Sequence, residues 1–197
     1  MKLYLLIISV AGAIIFALNC LVTPTLLCLI LVTSAILGLI ILHGAGAGIT
    51  YSLRRFISPK RKYYNVSNKE RKFWERLGVR KFKDHLPDLG KLFVGFSKAK
   101  IADPKDIEYI KKYIHETCVG EVGHFVGALL GFLIMACMPI NHFWLTIALP
   151  CAIVNMVLAI LPMIVMRYNR YKLTGLLKIA EIQAKREQKQ EIKTNDS

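Results

Sequence analysis

Residues 3–53 read LYLLIISVAGAIIFALNCLVTPTLLCLILVTSAILGLIILHGAGAGITYSL, without one Asp, Glu, Lys or Arg. A water-soluble domain interrupts its apolar segments with charge at shorter intervals. This stretch has room for two spans at about 20 residues each, and Asn19 and Pro24 divide it. A second block, Thr117 to Met166, carries Glu121 as its only formal charge and is divided at Pro139-Ile140-Asn141-His142. The expectation is an all-α membrane protein with four transmembrane helices, roughly 3–21, 25–50, 119–138 and 143–166, plus a cytoplasmic interfacial helical connector. The chain then divides into helices one and two (1–50), a basic connector (51–117), helices three and four (118–172) and a polar tail (173–197).

Charge orients these spans. The 27 basic residues fall as Lys2, eighteen between Arg54 and Lys112, and eight between Arg167 and Lys193. Four spans put all three regions, and both termini, on one side, which the positive-inside rule makes cytoplasmic. The net charge of +14 is therefore mostly juxtamembrane, and its expected counterpart is anionic phospholipid headgroups. No nucleic-acid motif accompanies it, so nucleic acid is not an expected partner. The first span has the short basic start and apolar core of a signal peptide, but Ala17-Leu18-Asn19-Cys20 is a poor processing site. Its removal would place basic regions on opposite sides, so it is read as a retained helix. Five cysteines without regular spacing argue against a disulfide framework.

The chemistry is expected in His115-Glu116-Thr117-Cys118-Val119-Gly120-Glu121-Val122-Gly123-His124. Ionisable groups entering lipid are costly, which makes an intramembrane acid and base functional candidates. At about 100° per residue, Thr117, Gly120, Glu121, His124, Ala128 and Gly131 share one helix face, a wall against which a helix or lipid chain packs. Glu116 flanks that face, and His115 points nearly the opposite way. Cys118 lies about 120° from His124 on an ideal helix, which disfavours it as a nucleophile. His43-Gly44-Ala45-Gly46-Ala47-Gly48 closes helix two and allows close backbone approach, with His43 at a depth resembling that of His124.

In the connector, Ser67 with Glu70 reads as a capping box and Gly78 as the stop after a short amphipathic helix. That helix either lies on the membrane or packs on the connector. Asp103-Pro104 reads as the N-cap and first position of an interfacial helix, 104–117, that feeds span three, with a bend at Gly120 or Gly123. Span four is interrupted by Pro150 and Pro162. The tail from Glu181 is expected to be frayed or disordered.

Three motifs in order, Lys-Phe-Lys-Asp-His-Leu-Pro-Asp (81–88), His-Glu-Thr-Cys-x-x-Glu-x-x-His (115–124) and Arg-Tyr-Asn-Arg (167–170), resemble the glycosyl-4,4'-diaponeurosporenoate acyltransferase family over residues 70–172. Phe82, Gly120, Met166 and Tyr171 depart from its pattern of Trp, Ala, Gln and Pro, which bears on the acceptor more than on the reaction. The resemblance implies a small bacterial multi-pass membrane enzyme that moves a fatty acyl group onto a sugar hydroxyl. The lipid acyl donor and the lipid or glycolipid acceptor are then its partners.

Acyl transfer to a hydroxyl needs a base and donors for the oxyanion. His124 is the expected base, with Glu121, Glu116 and His115 as further catalytic candidates. Lys83, Asp84, Arg167, Asn169, Arg170 and His43 are the candidates for binding substrate. No cofactor is expected. The alternatives are a lipid-modifying enzyme in which Glu121 and His124 hold zinc or iron, and a non-catalytic lipid-binding subunit.

Overall fold

The computed structural model describes residues 2–86, 104–138 and 142–195, which are helical without a strand. Helix α1 spans Lys2–Cys20 and α2 spans Thr25–Ser52. Helices α3 (Asn68–Arg76) and α4 (Val79–Phe82) lie in the connector. Helix α5 runs Ile107–Gly131, the short α6 Ile134–Cys137, and α7 Leu149–Asn195 after a π-helical turn at Trp144–Ala148. Four of the helical segments are long and apolar enough to cross a membrane, as the charge-free blocks imply. Leu5, Leu6, Ile41, Phe125 and Leu129 are more than half exposed along these segments. Such faces carry no penalty in lipid, a solvent as apolar as they are.

Ser67 caps α3 and Gly78 ends it, but the Glu70 carboxylate bonds Trp74 and Arg167 instead of closing a capping box on Ser67 N. The Ser67 hydroxyl accepts from Glu70 N at 3.1 Å, and Gly78 takes the left-handed φ of 78° that ends the helix. Asp103 and Pro139-Ile140-Asn141 lie outside the described residues. The cap of α5 is Asp106, which accepts from Tyr109 N at 3.0 Å, and Pro104 precedes the helix instead of opening it.

Residues 107–117 run into span three without a break. They are the first turns of α5, and Ile110, Tyr113 and Ile114 pack on Leu173 and Ala180 of α7. The spacing of three and four keeps these side chains on one face, so two helices that outrun the apolar block bury each other. The tail differs from expectation. From Glu181 the chain stays helical to Asn195, because its Glu, Gln, Ala, Lys and Arg are strong helix formers and continue an existing helix without a new nucleus.

Both prolines of span four are accommodated by α1. Pro162 has no N–H for the carbonyl of Leu158, four residues earlier, and the Tyr4 hydroxyl donates to that oxygen at 2.7 Å. Pro150 stands in the same relation to Thr146, whose carbonyl accepts from Asn19 Nδ2 at 3.1 Å; Thr146 Oγ1 donates back to Asn19 Oδ1 at 2.6 Å. Asn19 is buried, and its amide also bonds Ile15 O. Asn19→Leu should therefore destabilise by about 1–3 kcal/mol and Tyr4→Phe by about 0.5–1.5 kcal/mol. Thermal unfolding in detergent checks the order; equal or negligible losses would dismiss this role for α1.

Helices α2 and α5 touch through their backbones. A Cβ on Gly46 would lie 2.7 Å from Gly127 Cα, and one on Gly127 would lie 3.0 Å from the His43 ring. Gly123, Gly127 and Gly131 recur every four residues and form the α5 side of this contact. The seam is thus rotated one position from the face expected to carry Ala128.

Candidate active site

The contact at Gly127 brings His43 beside α5. His43 Nε2 lies 3.1 Å from His124 Nδ1, and His43 Nδ1 lies 3.1 Å from Asn155 Oδ1 on α7. Asn155 Nδ2 donates to the Gly127 carbonyl at 3.4 Å, which fixes the amide with its oxygen towards His43. That oxygen can only accept, so His43 Nδ1 carries the proton and a neutral His43 accepts at Nε2. The donor to Nε2 is then His124 Nδ1–H, and a neutral His124 has its lone pair on Nε2. Three helices thus set one tautomer of one imidazole, as a positioned general base requires.

This chain of side chains lines a cavity of about 660 Å³ between α1, α2, α5 and α7. Along α2 the lining runs from Ile36 to Tyr51, about 22 Å at 1.5 Å per residue. The walls below the histidines are apolar, among them Gly12, Ile15 and Leu39, while Tyr51 and Glu116 line the end nearer the connector. Of the expected wall on α5, Gly120 and His124 line this cavity, joined by the flanking Glu116, whereas Thr117, Glu121, Ala128 and Gly131 do not.

Glu121 does not share it. Buried to 1% exposure, its Oε1 accepts from the Tyr63 hydroxyl at 2.9 Å and Arg167 Nη1 at 2.8 Å. Its Oε2 is 2.6 Å from Arg170 Nη2, an ion pair without hydrogen-bond alignment. Arg170, 2% exposed, also donates to Thr117 Oγ1 at 3.0 Å and Thr117 O at 2.9 Å. Arg167 extends the cluster to both oxygens of Glu70. Burial pushes the Glu70 carboxyl up, but the bonds from Arg167 and Trp74 outweigh this and hold it below the ordinary carboxylate range. Burial and the bond to Glu121 raise the Tyr63 hydroxyl. The cluster docks α3 on α7, leaving Phe73 and Leu77 more than half exposed on its other side. The amphipathic helix therefore has one face on protein and an apolar face outward.

The other sequence candidates divide. His115 bonds the Arg54 carbonyl through Nε2 at 3.2 Å, which ties the residues after α2 to α5. Glu116 reaches the cavity. Lys83 and Asp84 pair at 3.8 Å in a one-turn segment after α4 and do not line the cavity. Asn169 forms no hydrogen bond or ion pair with the Glu121 cluster, and Arg167 and Arg170 are engaged by carboxylates instead of open to a substrate. Cys118 is buried away from the cavity. Among the described residues, no three His, Cys, Asp or Glu side chains gather to hold a metal ion, and Glu121 turns to arginines while His124 turns to His43. Asn155 was not among the expected residues; as one amide in an apolar run, it acquires meaning only from its neighbours.

The model of the family described as glycosyl-4,4'-diaponeurosporenoate acyltransferase matches residues 60–179. Neither curated proteins nor solved structures yield a match. The matched segment contains His124, Asn155, Glu121 and both arginines, while His43 lies before it. It covers more than half of the chain, which therefore belongs to the glycosyl-4,4'-diaponeurosporenoate acyltransferase family and is an acyltransferase.

Proposed function

We propose that the chain moves a fatty acyl group from a lipid donor or acyl thioester onto a hydroxyl of a lipid or glycolipid acceptor, with His124 as the base. The family description names a glycosylated carotenoid; apolar cavity walls suit a long lipid tail of that or another kind. The observation that carries the reading is the His124–His43–Asn155 chain opening onto an apolar cavity within the helix bundle. Nε2 of His124 takes the acceptor hydroxyl proton as the oxygen attacks the acyl carbonyl carbon. The resulting imidazolium returns that proton to the departing thiolate or alkoxide as the tetrahedral intermediate collapses. His43 and Asn155 hold the imidazole orientation, and the Glu121–Arg167–Arg170 cluster fixes α5 against α7.

By the positive-inside rule, the basic end and both termini are assigned to the cytoplasm, in a bacterial cell membrane, against anionic headgroups. Lipid mass spectrometry of cells with and without the protein tests the reading. One lipid heavier by a single fatty acyl group is expected only where the protein is present. A change in unsaturation or oxygen content instead would favour metal-dependent lipid modification.

A further inference from the structure

Glu116 is a buried carboxylate without a full partner. It is 4% exposed and lines the cavity, yet its nearest cation, Arg54 Nη1, is 3.9 Å away, and His115 Nδ1 is at 4.0 Å. No hydrogen bond from another described residue reaches it, whereas Glu121, further along α5, accepts from Tyr63 and Arg167 and pairs with Arg170. A carboxylate that opens onto a cavity with lone pairs to spare is an acceptor for a ligand's hydroxyl donors.

Its surroundings define that ligand. Tyr51 and Glu116 line the end of the cavity nearer the connector, and the Arg54 guanidinium, 4.4 Å over the Tyr51 ring and 3.9 Å from Glu116, stands beside them without lining the cavity itself. Arg54 alone would suit a phosphate, but the adjoining carboxylate repels one. A neutral group rich in hydroxyls suits the pair: its O–H groups donate to Glu116, whose carboxylate Arg54 braces from beside the cavity. Glu116 and His124 stand eight residues apart on α5, about 12 Å along the axis. That separation matches a sugar head better than a single functional group. We infer that Glu116, braced by Arg54 and Tyr51, binds the polyhydroxylated head of the acceptor and presents one of its hydroxyls to His124. This rests on the acyl-transfer reading and makes Glu116 a binding residue rather than a second base.

The test compares two radiolabelled probes of equal tail length, dodecyl glucoside and dodecanol, binding to the full-length protein in nanodiscs. Wild type should prefer the glucoside, and Glu116→Ala should lower the ratio of the two affinities about tenfold or more, with Glu116→Gln intermediate because its amide oxygen still accepts. An unchanged ratio in Glu116→Ala, or no preference in wild type, would overturn the assignment. Because binding needs no turnover, a preserved preference without any acyl transfer would defeat the functional reading while leaving the headgroup site standing. A loss of both affinities together in Glu116→Ala would assign Glu116 to structure and also overturn the inference.

Discussion

Replacing Glu121 with alanine is expected to destabilise the protein by on the order of 3–5 kcal/mol, the cost of leaving buried charge without its partner. The carboxylate is 1% exposed and meets two guanidiniums, of which Arg167 retains the Glu70 carboxylate while Arg170 retains no carboxylate, only Thr117 and the Tyr64 ring. Arg170→Ala should act in the same direction. Removing both partners as Glu121→Leu with Arg170→Met should recover part of the loss, because no buried charge is then stranded at Arg170. Thermal unfolding in detergent, together with the amount of protein in membranes, reads this out. A wild-type melting temperature for Glu121→Ala would refute the structural role. On sequence grounds Glu121→Ala leaves an inserted but inactive protein; on structural grounds, its inactivity reports a damaged fold.

His124→Ala is expected to behave oppositely. The imidazole is half-buried beside a cavity instead of being enclosed in the core like Glu121, so the variant should reach the membrane in normal amounts. Acyl transfer should fall by about two to four orders of magnitude, the usual contribution of a positioned base. His43→Ala and Asn155→Ala should cost less, since each removes orientation and leaves the reacting nitrogen in place. Initial rates in membranes carrying matched amounts of protein separate these cases. Equal loss in all three would indicate that the trio acts as a packing unit.

The architecture was largely legible because lipid imposes a coarse rule: charge-free blocks of sufficient length become spanning helices. Leu3 to Leu53 could hardly be read otherwise. Local end signals such as Ser67 and Gly78 were equally plain, since they act within one turn. What escaped depends on which helix faces which. Glu121 and His124 were rightly placed on one broad face of α5, but that face straddles a boundary: its Glu121 edge meets α7 and its His124 edge meets α2 and the cavity. Helical periodicity cannot resolve such a division. The pairing of His43 with His124 was open to suspicion from their similar depth. Asn155, by contrast, needed the rotation of α7, which follows from Pro150, Pro162 and the α1 side chains that bond at the carbonyls those prolines leave. The spacing of Gly123, Gly127 and Gly131 was a visible signal for the α2–α5 seam and marks it more directly than the broader small-residue stripe.

Lipid mass spectrometry of cells expressing wild type or His124→Ala, at equal membrane levels, tests the claim that this imidazole performs the transfer. A lipid heavier by one fatty acyl group should accumulate with wild type and be essentially absent with the variant. Accumulation at the wild-type level in the variant would contradict the account.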